Sequence, residues 1–309
     1  MKVLFIDNTH PILKKELELN GFICEEETSK SKEKIMYNIS SYDGIVIRSR
    51  FKIDSAFLEH SNNLKFIARA GSGMENIDVK YANKKGIKCY NAPEGNRQAV
   101  AEHTLGILLS LFNNISRSHL EIKKKKWIRE KNRGIEIQGK KIAIIGYGNN
   151  GSAFAKLLEN FGVTIMSYDK YLYNYSYKTS MKNIYKNADI VSLHVPLTQE
   201  TKYLVNNKFI NSFKKDIYII NTSRGDCVNT KDLVCAMKNG KILGACLDVL
   251  EFEATSFEKL SEIDKNQDLK YLLNNDQTIL TPHIAGWTKE SNLKIAKVLT
   301  KKILNDFKK

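Results

Sequence analysis

The sequence has few cysteines and lacks any long apolar run. Its five cysteines are odd in number and form no Cys-x-x-Cys pair, which argues against a disulfide framework and a zinc site and favours a reducing cytoplasm. The apolar start at residues 1–7 is too short for a signal peptide. No stretch approaches the roughly 20 apolar residues of a membrane helix. These absences predict a cytoplasmic protein with no metal centre and no membrane partner.

Acidic residues are scarce relative to basic ones. The chain has 34 Asp and Glu residues against 49 Lys and Arg residues, a formal net charge of +15. Such a balance raises nucleic acid as a partner, but the lysines are spread along the chain and no aromatic–basic module is present. We therefore predict no nucleic-acid partner. The positive charge is instead expected to help attract an anionic substrate.

A group of glycines lies between two predicted strands, at 142–145 and 163–168. Gly146, Gly148 and Gly151 are spaced G-x-G-x-x-G and open a predicted helix. In such a turn the first glycine permits tight bending, the second lets a pyrophosphate approach the backbone, and the third lets helix and strand pack closely. Asp169 ends the second strand. A carboxylate at this position accepts hydrogen bonds from the ribose hydroxyls of the dinucleotide, and its negative charge repels a 2′-phosphate. The pattern predicts NAD in preference to NADP, and Lys170 weakens that preference a little.

Strands and helices alternate on both sides of this turn. Other strands are predicted at 3–6, 45–47, 64–68, 87–90, 189–193, 217–220, 242–247 and 278–280. Helices are predicted at 11–19, 79–85, 99–112 and 293–303, an exposed connection at 171–182, and a polar helix with a loop at 258–275. We interpret the strongly apolar helix 99–112 as a core or interface helix. The alternation is typical of parallel sheets and predicts two α/β domains, Rossmann-like or flavodoxin-like.

Polar side chains follow the predicted strands directly. Ligands of open α/β sheets bind beyond the carboxyl ends of the strands, so these positions are candidates for a site. Cationic groups, imidazole and glycine-rich backbone suit a small anionic substrate beside a dinucleotide, in a cleft between the two domains. The candidate positions are Arg48, 69–73, His194, 221–225, Asp248 and 281–286.

Several segments resemble the D-isomer-specific 2-hydroxyacid dehydrogenases, in order and over nearly the whole chain. They are 69–78, 86–102, 195–198, 221–225, 244–249 and 281–284. The resemblance implies a discontinuous substrate domain at 1–94 and 285–309, with a NAD-binding Rossmann domain inserted at 95–284 and closure by hinge motion. The segments at 69–73 and 91–96 are most similar to members that oxidise 3-phospho-D-glycerate to 3-phosphohydroxypyruvate in serine synthesis, in a short form without an ACT domain.

The resemblance implies three catalytic residues. His283 would be the general base for the C2 hydroxyl proton, and the acid in the reverse reaction. Glu253 would hold the imidazole and favour its protonated form. Arg224 would grip the substrate carboxylate and polarise the C2 oxygen, a task for a planar two-point donor.

The binding residues are implied in the same way. Backbone N–H groups at Ser72 and Gly73 would complete the carboxylate site, and Arg48 and Arg69 would bind a phosphate. Helix 99–112 and the segment after it would support a homodimer or a higher homo-oligomer. Besides the three glycines and Asp169, the implied cofactor contacts are Ser72, Asn149, Asn150, Val195, Thr222, Ser223, Asp248 and Gly286.

Alternatives stay open for several residues. Glu251 is a second candidate partner for His283, because the family places the acid before a proline where this chain has Ala254. Taken alone, His283 could be a structural histidine, and this interpretation fits His194 better. Arg224 could form a surface ion pair. The alternative functions are another D-2-hydroxyacid dehydrogenase, such as a glyoxylate or hydroxypyruvate reductase, and a non-catalytic NAD-sensing protein of the corepressor type.

Overall fold

Two parallel β-sheets organise the chain, and each belongs to its own unit. The computed structural model describes residues 1–253 and 266–307. One unit contains residues 1–97 and 287–307, and the other contains 98–253 and 266–286. The predicted α/β class with parallel sheets is confirmed. The substrate-binding and NAD-binding roles assigned to the two domains stay predictions. Ala254 and much of the predicted segment 258–275 lie outside the described residues.

The first unit has five parallel strands in the order β2-β1-β3-β4-β5. Strands β1 and β3 are apolar and almost fully buried, as expected for a parallel sheet covered by helices on both faces. One face packs against α1 and α12, and the other packs against α2, α3 and α4. The elements are β1 (Lys2–Phe5), α1 (Pro11–Leu19), β2 (Ile23–Glu26), α2 (Lys32–Asn38), β3 (Gly44–Ile47), α3 (Ser55–Glu59), β4 (Phe66–Arg69), α4 (Val79–Lys84), β5 (Lys88–Tyr90) and α12 (Lys289–Phe307).

The second unit has six parallel strands in the order β11-β10-β9-β8-β6-β7. Helix α5 (Pro93–Phe112) leads into it, and one face of its sheet packs against α5 and α7. The other elements are α6 (Ile115–Lys123), β6 (Lys141–Ile145), α7 (Asn149–Leu158), β7 (Thr164–Tyr168), α8 (Met181–Asn187), β8 (Ile190–Leu193), α9 (Asn207–Asn211), β9 (Ile217–Asn221), α10 (Thr230–Lys238), β10 (Ile242–Leu247), α11 (Gln267–Asn274) and β11 (Thr278–Leu280). Among the described residues, no helix is both long and apolar enough to cross a membrane.

In each sheet the strand order reverses beside the first strand. β1 lies between β2 and β3, and β6 lies between β7 and β8. Ligands of doubly wound sheets bind at this switch point, outside the carboxyl ends of the strands. The turn that starts at Gly146 and the loop that starts at His194 therefore lie at the switch point of the second sheet.

Helix α5 begins earlier than the sequence predicts, at Pro93 rather than at residue 99. Proline is favoured in the first helical turn because its missing N–H needs no partner there. Gly95 then permits close packing, since a Cβ at this position would lie 2.7 Å from the backbone nitrogen of Ile295 in α12. Helix α12 is longer than predicted at both ends, and α8 begins inside the predicted connection 171–182.

Candidate active site

The glycine turn after β6 is closely fitted to its surroundings. Gly146 has a φ of +92°, and a Cβ there would lie 2.5 Å from the carbonyl oxygen of His194. A Cβ on Gly151 would lie 2.0 Å from the carbonyl oxygen of Gly146. A Cβ on Gly148, by contrast, would meet no described atom within 4 Å. The first and third glycines are thus needed for packing, and the second faces open space.

This turn fits the pyrophosphate of a dinucleotide. Helix α7 begins at Asn149, and none of the described side chains caps its first N–H groups. Uncapped N–H groups and the positive end of the helix dipole attract an anion. The Oδ1 atom of Asn150 is buried and accepts no hydrogen bond from the described residues. Asn149 and Asn150 form the first turn of this helix, and their contacts with a pyrophosphate stay predictions.

Asp169 lies directly after β7, and backbone groups fix its carboxylate. Oδ2 accepts the N–H of Tyr147 at 2.8 Å, and Oδ1 accepts those of Tyr171 at 2.9 Å and Leu172 at 3.0 Å. Burial alone would raise the pKa of Asp169, but these hydrogen bonds hold it below its ordinary value. An ionised carboxylate in this position suits ribose hydroxyls and disfavours a 2′-phosphate.

His194 is a buried, neutral residue beside this turn. Burial lowers its pKa to about 3, its Nε2 atom lies 2.9 Å from the hydroxyl of Ser192, and its ring packs 5.5 Å from that of Phe154. These contacts fit the structural interpretation of His194. Val195 follows it and packs, partly buried, against the core formed with α8 to α11.

His283 lies just after β11 in an uncommon backbone conformation. Its φ is +54°, in the left-handed region, and its N–H donates to the carbonyl oxygens of Asp248 at 2.8 Å and Thr281 at 3.0 Å. The imidazole Nδ1 lies 2.7 Å from Oε2 of Glu253. Oε1 of Glu253 accepts the N–H of Leu250 at 2.6 Å, so both carboxylate oxygens are fixed.

Glu251, the alternative partner of His283, has other partners. Its Oε1 accepts the hydroxyl of Tyr203 at 2.6 Å, and its Oε2 accepts the N–H of Thr230 at 3.0 Å. Glu251 therefore supports the start of α10, and Glu253 is the acid that contacts the imidazole.

Asp248 organises the loop that carries His283. Its side chain is 1% exposed and accepts the hydroxyl of Thr281 at 2.6 Å and the N–H groups of Ile284 at 2.9 Å and Ala285 at 2.8 Å. Burial would raise the pKa of Asp248, but these bonds and the nearby His103 lower it below the ordinary value. Gly286 lies in the same turn, directly after Ala285. The predicted contacts of Asp248 and Gly286 with nicotinamide stay predictions.

Arg224 lies in a tight loop after β9. Asn221 fixes this loop, because its Nδ2 donates to the carbonyl oxygen of Arg224 at 2.8 Å and its Oδ1 accepts the Ser223 hydroxyl at 2.8 Å. A Cβ on Gly225 would lie 2.0 Å from the carbonyl oxygen of Leu250, so the loop packs directly against the segment that carries Glu253. Arg224 is thus next to a residue that contacts the segment carrying Glu253, the acid bound to His283.

Two other predicted cofactor residues of this unit have internal partners. The Thr222 hydroxyl lies 3.0 Å from that of Thr104 on α5, and both residues are buried. The Ser223 hydroxyl points to Asn221, as described above. Their contacts to a cofactor stay predictions, and the backbone groups of this segment are the better candidates for such contacts.

The predicted substrate residues of the first unit follow β3 and β4. The Arg48 guanidinium lies 4.5 Å from the ring centre of Trp287, and Oδ2 of Asp7 accepts the backbone N–H of Arg48 at 2.8 Å. The Arg69 guanidinium lies over Gly71, which has no Cβ to obstruct it. Roles for both arginines in phosphate binding stay predictions.

The segments 69–73 and 91–96 contact each other. Asn91 Nδ2 donates to the carbonyl oxygen of Ser72 at 2.6 Å, and the Ser72 hydroxyl donates to Oδ1 of Asn96 at 2.6 Å. Gly73, the next residue, is half-buried. Residues from two sequence motifs thereby shape the backbone that is predicted to bind a carboxylate.

Sequence reasoning missed two residues of these groups. His103 lies on α5, and its Nε2 is 3.0 Å from the Thr281 hydroxyl and 3.4 Å from Asp248 Oδ1. Its position within the strongly apolar segment 99–112 is the sequence feature that could have pointed to it. Trp287 stacks on Arg48 and is 60% exposed, and a tryptophan next to the 281–286 motif was its signal.

Comparison with known proteins gives a consistent result. Residues 105–285 match the model of "D-isomer specific 2-hydroxyacid dehydrogenase, NAD binding domain". A hydroxypyruvate reductase of Thermotoga maritima is 34% identical over 296 residues, which are 95% of this chain and 92% of that protein. A D-3-phosphoglycerate dehydrogenase of Methanocaldococcus jannaschii is 34% identical over 98% of this chain, but the match covers only 57% of that longer protein. The chain likewise spans about half of two related dehydrogenases of that name, 53% and 50%.

Solved structures resemble the chain over its full length. A D-lactate dehydrogenase of Aquifex aeolicus, solved with NAD and lactic acid, is 28% identical with a TM-score of 0.82, over 99% of this chain and 96% of that one. A 3-phosphoglycerate dehydrogenase of Entamoeba histolytica, solved with NAD⁺, is 25% identical with a TM-score of 0.79, over 99% and 94%.

Proposed function

Because the chain belongs to the D-isomer-specific 2-hydroxyacid dehydrogenase family, we propose that it oxidises a D-2-hydroxy acid to the 2-oxo acid with NAD. The hydroxy acid we propose is 3-phospho-D-glycerate, and the product is 3-phosphohydroxypyruvate. The observation that carries the proposal is the His283–Glu253 pair, with 2.7 Å between Nδ1 and Oε2, in the loop organised by the buried Asp248.

The proton chemistry is assigned to His283. With Nδ1–H donated to Glu253, the Nε2 lone pair is the base that takes the C2 hydroxyl proton. Glu253 then stabilises the imidazolium that forms, as a carboxylate does for the histidine of other acid–base pairs. Bound NAD would supply the acceptor for the hydride that leaves C2. In the reverse direction the imidazolium returns the proton to the oxygen.

Substrate and cofactor are held by the remaining groups. Arg224 is proposed to bind the substrate carboxylate with two N–H groups, aided by backbone N–H groups at Ser72 and Gly73. The turn at Gly148 and the start of α7 are proposed to bind the pyrophosphate, and Asp169 the ribose hydroxyls.

The phosphate of the substrate is assigned to Arg48 and Arg69. Support comes from the segments 69–73 and 91–96 and from the relatives named D-3-phosphoglycerate dehydrogenase. A reductase of hydroxypyruvate or glyoxylate is the second candidate. The observation that favours it is similarity, since a hydroxypyruvate reductase and a glyoxylate reductase are each 34% identical to the chain, the same identity as the Methanocaldococcus jannaschii phosphoglycerate dehydrogenase.

The test is a comparison of substrates with the purified protein. We expect NADH formation from NAD and 3-phospho-D-glycerate to exceed that from D-glycerate and D-lactate, and Arg48→Ala to raise KM for the phosphorylated acid by about tenfold or more. D-Glycerate is the internal control, because its KM should not depend on Arg48. Activity only with unphosphorylated hydroxypyruvate or glyoxylate and NADH would select the second candidate. Activity with none of these compounds would contradict both.

A further inference from the structure

Lys170 and Tyr171, the two residues after Asp169, bind one distant carboxylate oxygen. Lys170 Nζ lies 2.7 Å from Oε2 of Glu200, and the Tyr171 hydroxyl donates to the same oxygen at 2.7 Å. Glu200 belongs to the loop that follows β8, whereas Lys170 and Tyr171 follow β7. The carboxylate therefore joins two loops at the carboxyl end of the sheet, beside the carboxylate assigned to the ribose.

Glu200 determines the charge at this position. Asp169 and Lys170 together sum to zero, and Glu200 brings the three residues to −1. A 2′-phosphate carries about −1.5 to −2 charges at neutral pH, so this group of residues repels it. Glu200 also holds the ammonium group of Lys170. Without Glu200, the flexible Lys170 side chain could reach a 2′-phosphate.

We propose that Glu200 is a specificity-determining residue that favours NAD over NADP by pairing with Lys170. The inference rests on the proposed NAD-dependent function. It assigns the discrimination to two carboxylates. Asp169 binds the ribose, and Glu200 neutralises the adjacent Lys170. Because the Lys170–Glu200 pair is about half exposed on each side, its effect should be modest and sensitive to salt.

The experiment measures dinucleotide binding directly. Dissociation constants for NAD⁺ and NADP⁺ are obtained by titration calorimetry for the wild type, Glu200→Gln, Glu200→Ala, Lys170→Met and the double variant Glu200→Gln/Lys170→Met. Glu130→Gln is the matched control, because it breaks another exposed 2.7 Å pair, with Arg133, in the same unit. Thermal melting of each variant verifies that the fold is retained.

We expect Glu200→Gln and Glu200→Ala to lower Kd for NADP⁺ by about three- to tenfold and to leave Kd for NAD⁺ within about twofold. The gain should fall below about twofold when Lys170 is also replaced, and should shrink as NaCl is raised from about 0.05 to about 0.5 M. An unchanged NADP⁺/NAD⁺ ratio in both Glu200 variants, or an equal gain without Lys170, would overturn the inference. A wild type that binds neither dinucleotide would overturn the proposed function itself.

Discussion

At the scale of single residues, His283 has a strained, left-handed backbone, and its imidazole is fixed by Glu253. The left-handed conformation of a residue with a Cβ costs on the order of 1–2 kcal/mol. Asp248 offsets this cost, because its side chain accepts hydrogen bonds from Ile284 and Ala285 and its backbone carbonyl accepts the N–H of His283. The strain is thus located at the proposed general base, where a fixed ring direction is useful.

Replacing Glu253 tests the importance of its contact with His283. We expect Glu253→Gln to lower kcat by roughly 100-fold, because a neutral amide holds the ring but does not stabilise the imidazolium. Glu251→Gln is the matched control, two residues away. It should leave kcat within about threefold and lower the melting temperature, since Glu251 binds Tyr203 and Thr230. Equal losses of kcat in the two variants, measured by steady-state kinetics, would be incompatible with a specific role for Glu253.

The choice between these two acids shows what sequence leaves open at this scale. The segment 250–253 offers two carboxylates, and only the family resemblance favoured Glu253 over Glu251 as the partner of His283. In the structure, Tyr203 and Thr230 bind Glu251, while the N–H of Leu250 and the imidazole of His283 bind Glu253. His103 was missed for a similar reason, because its partners are 145 and 178 residues away in sequence.

At the scale of elements, two of the glycines after β6, Gly148 and Gly151, are predicted to respond differently to alanine. Gly151→Ala should lower the free energy of unfolding by roughly 3 kcal/mol or more, because its Cβ would lie 2.0 Å from a backbone oxygen. Gly148→Ala should cost less than about 1 kcal/mol, since its Cβ meets no described atom, but it should weaken NAD⁺ binding at least tenfold by obstructing the pyrophosphate. Urea denaturation and calorimetry separate the two effects. Normal NAD⁺ binding by the Gly148→Ala protein would contradict the assignment of the pyrophosphate to this turn.

Elements buried on both faces were the ones that sequence predicted well. The runs at 45–47, 217–220 and 242–247 are continuous apolar segments, and the structure has strands there within about one residue. Strand β2 was missed because it lies at the sheet edge, and its residues Ile23–Glu26 are half-buried or exposed. Helices such as α3 and α9 are only five residues long, too short for a helical period to be recognised.

At the scale of the whole molecule, α6 and the segment after it expose apolar side chains. None of the side chains of α6 described by the structure is buried, and Ile115, Leu120 and Ile122 are each about half exposed. Trp127 follows the basic run 123–126 and is 81% exposed. Ile115 and Ile122 are seven residues apart and lie on one face of α6. Exposed apolar side chains on one helix face are typical of a surface that another protein covers. We propose that a second copy of the chain covers it, as the predicted homodimer requires.

This proposal makes a prediction about molecular mass. Light scattering of the wild type should give 2 × 35.3 = 70.6 kDa or a higher multiple of the 35.3 kDa chain. The double variant Leu120→Glu/Trp127→Glu should give a monomer, because two buried carboxylates without partners would cost more than the interface gains. Leu19→Glu, which changes a leucine of the first unit that is 70% exposed, is the control and should leave the mass unchanged. A monomeric wild type would contradict the proposed assembly. An oligomer that persists in the double variant would place the interface on another surface.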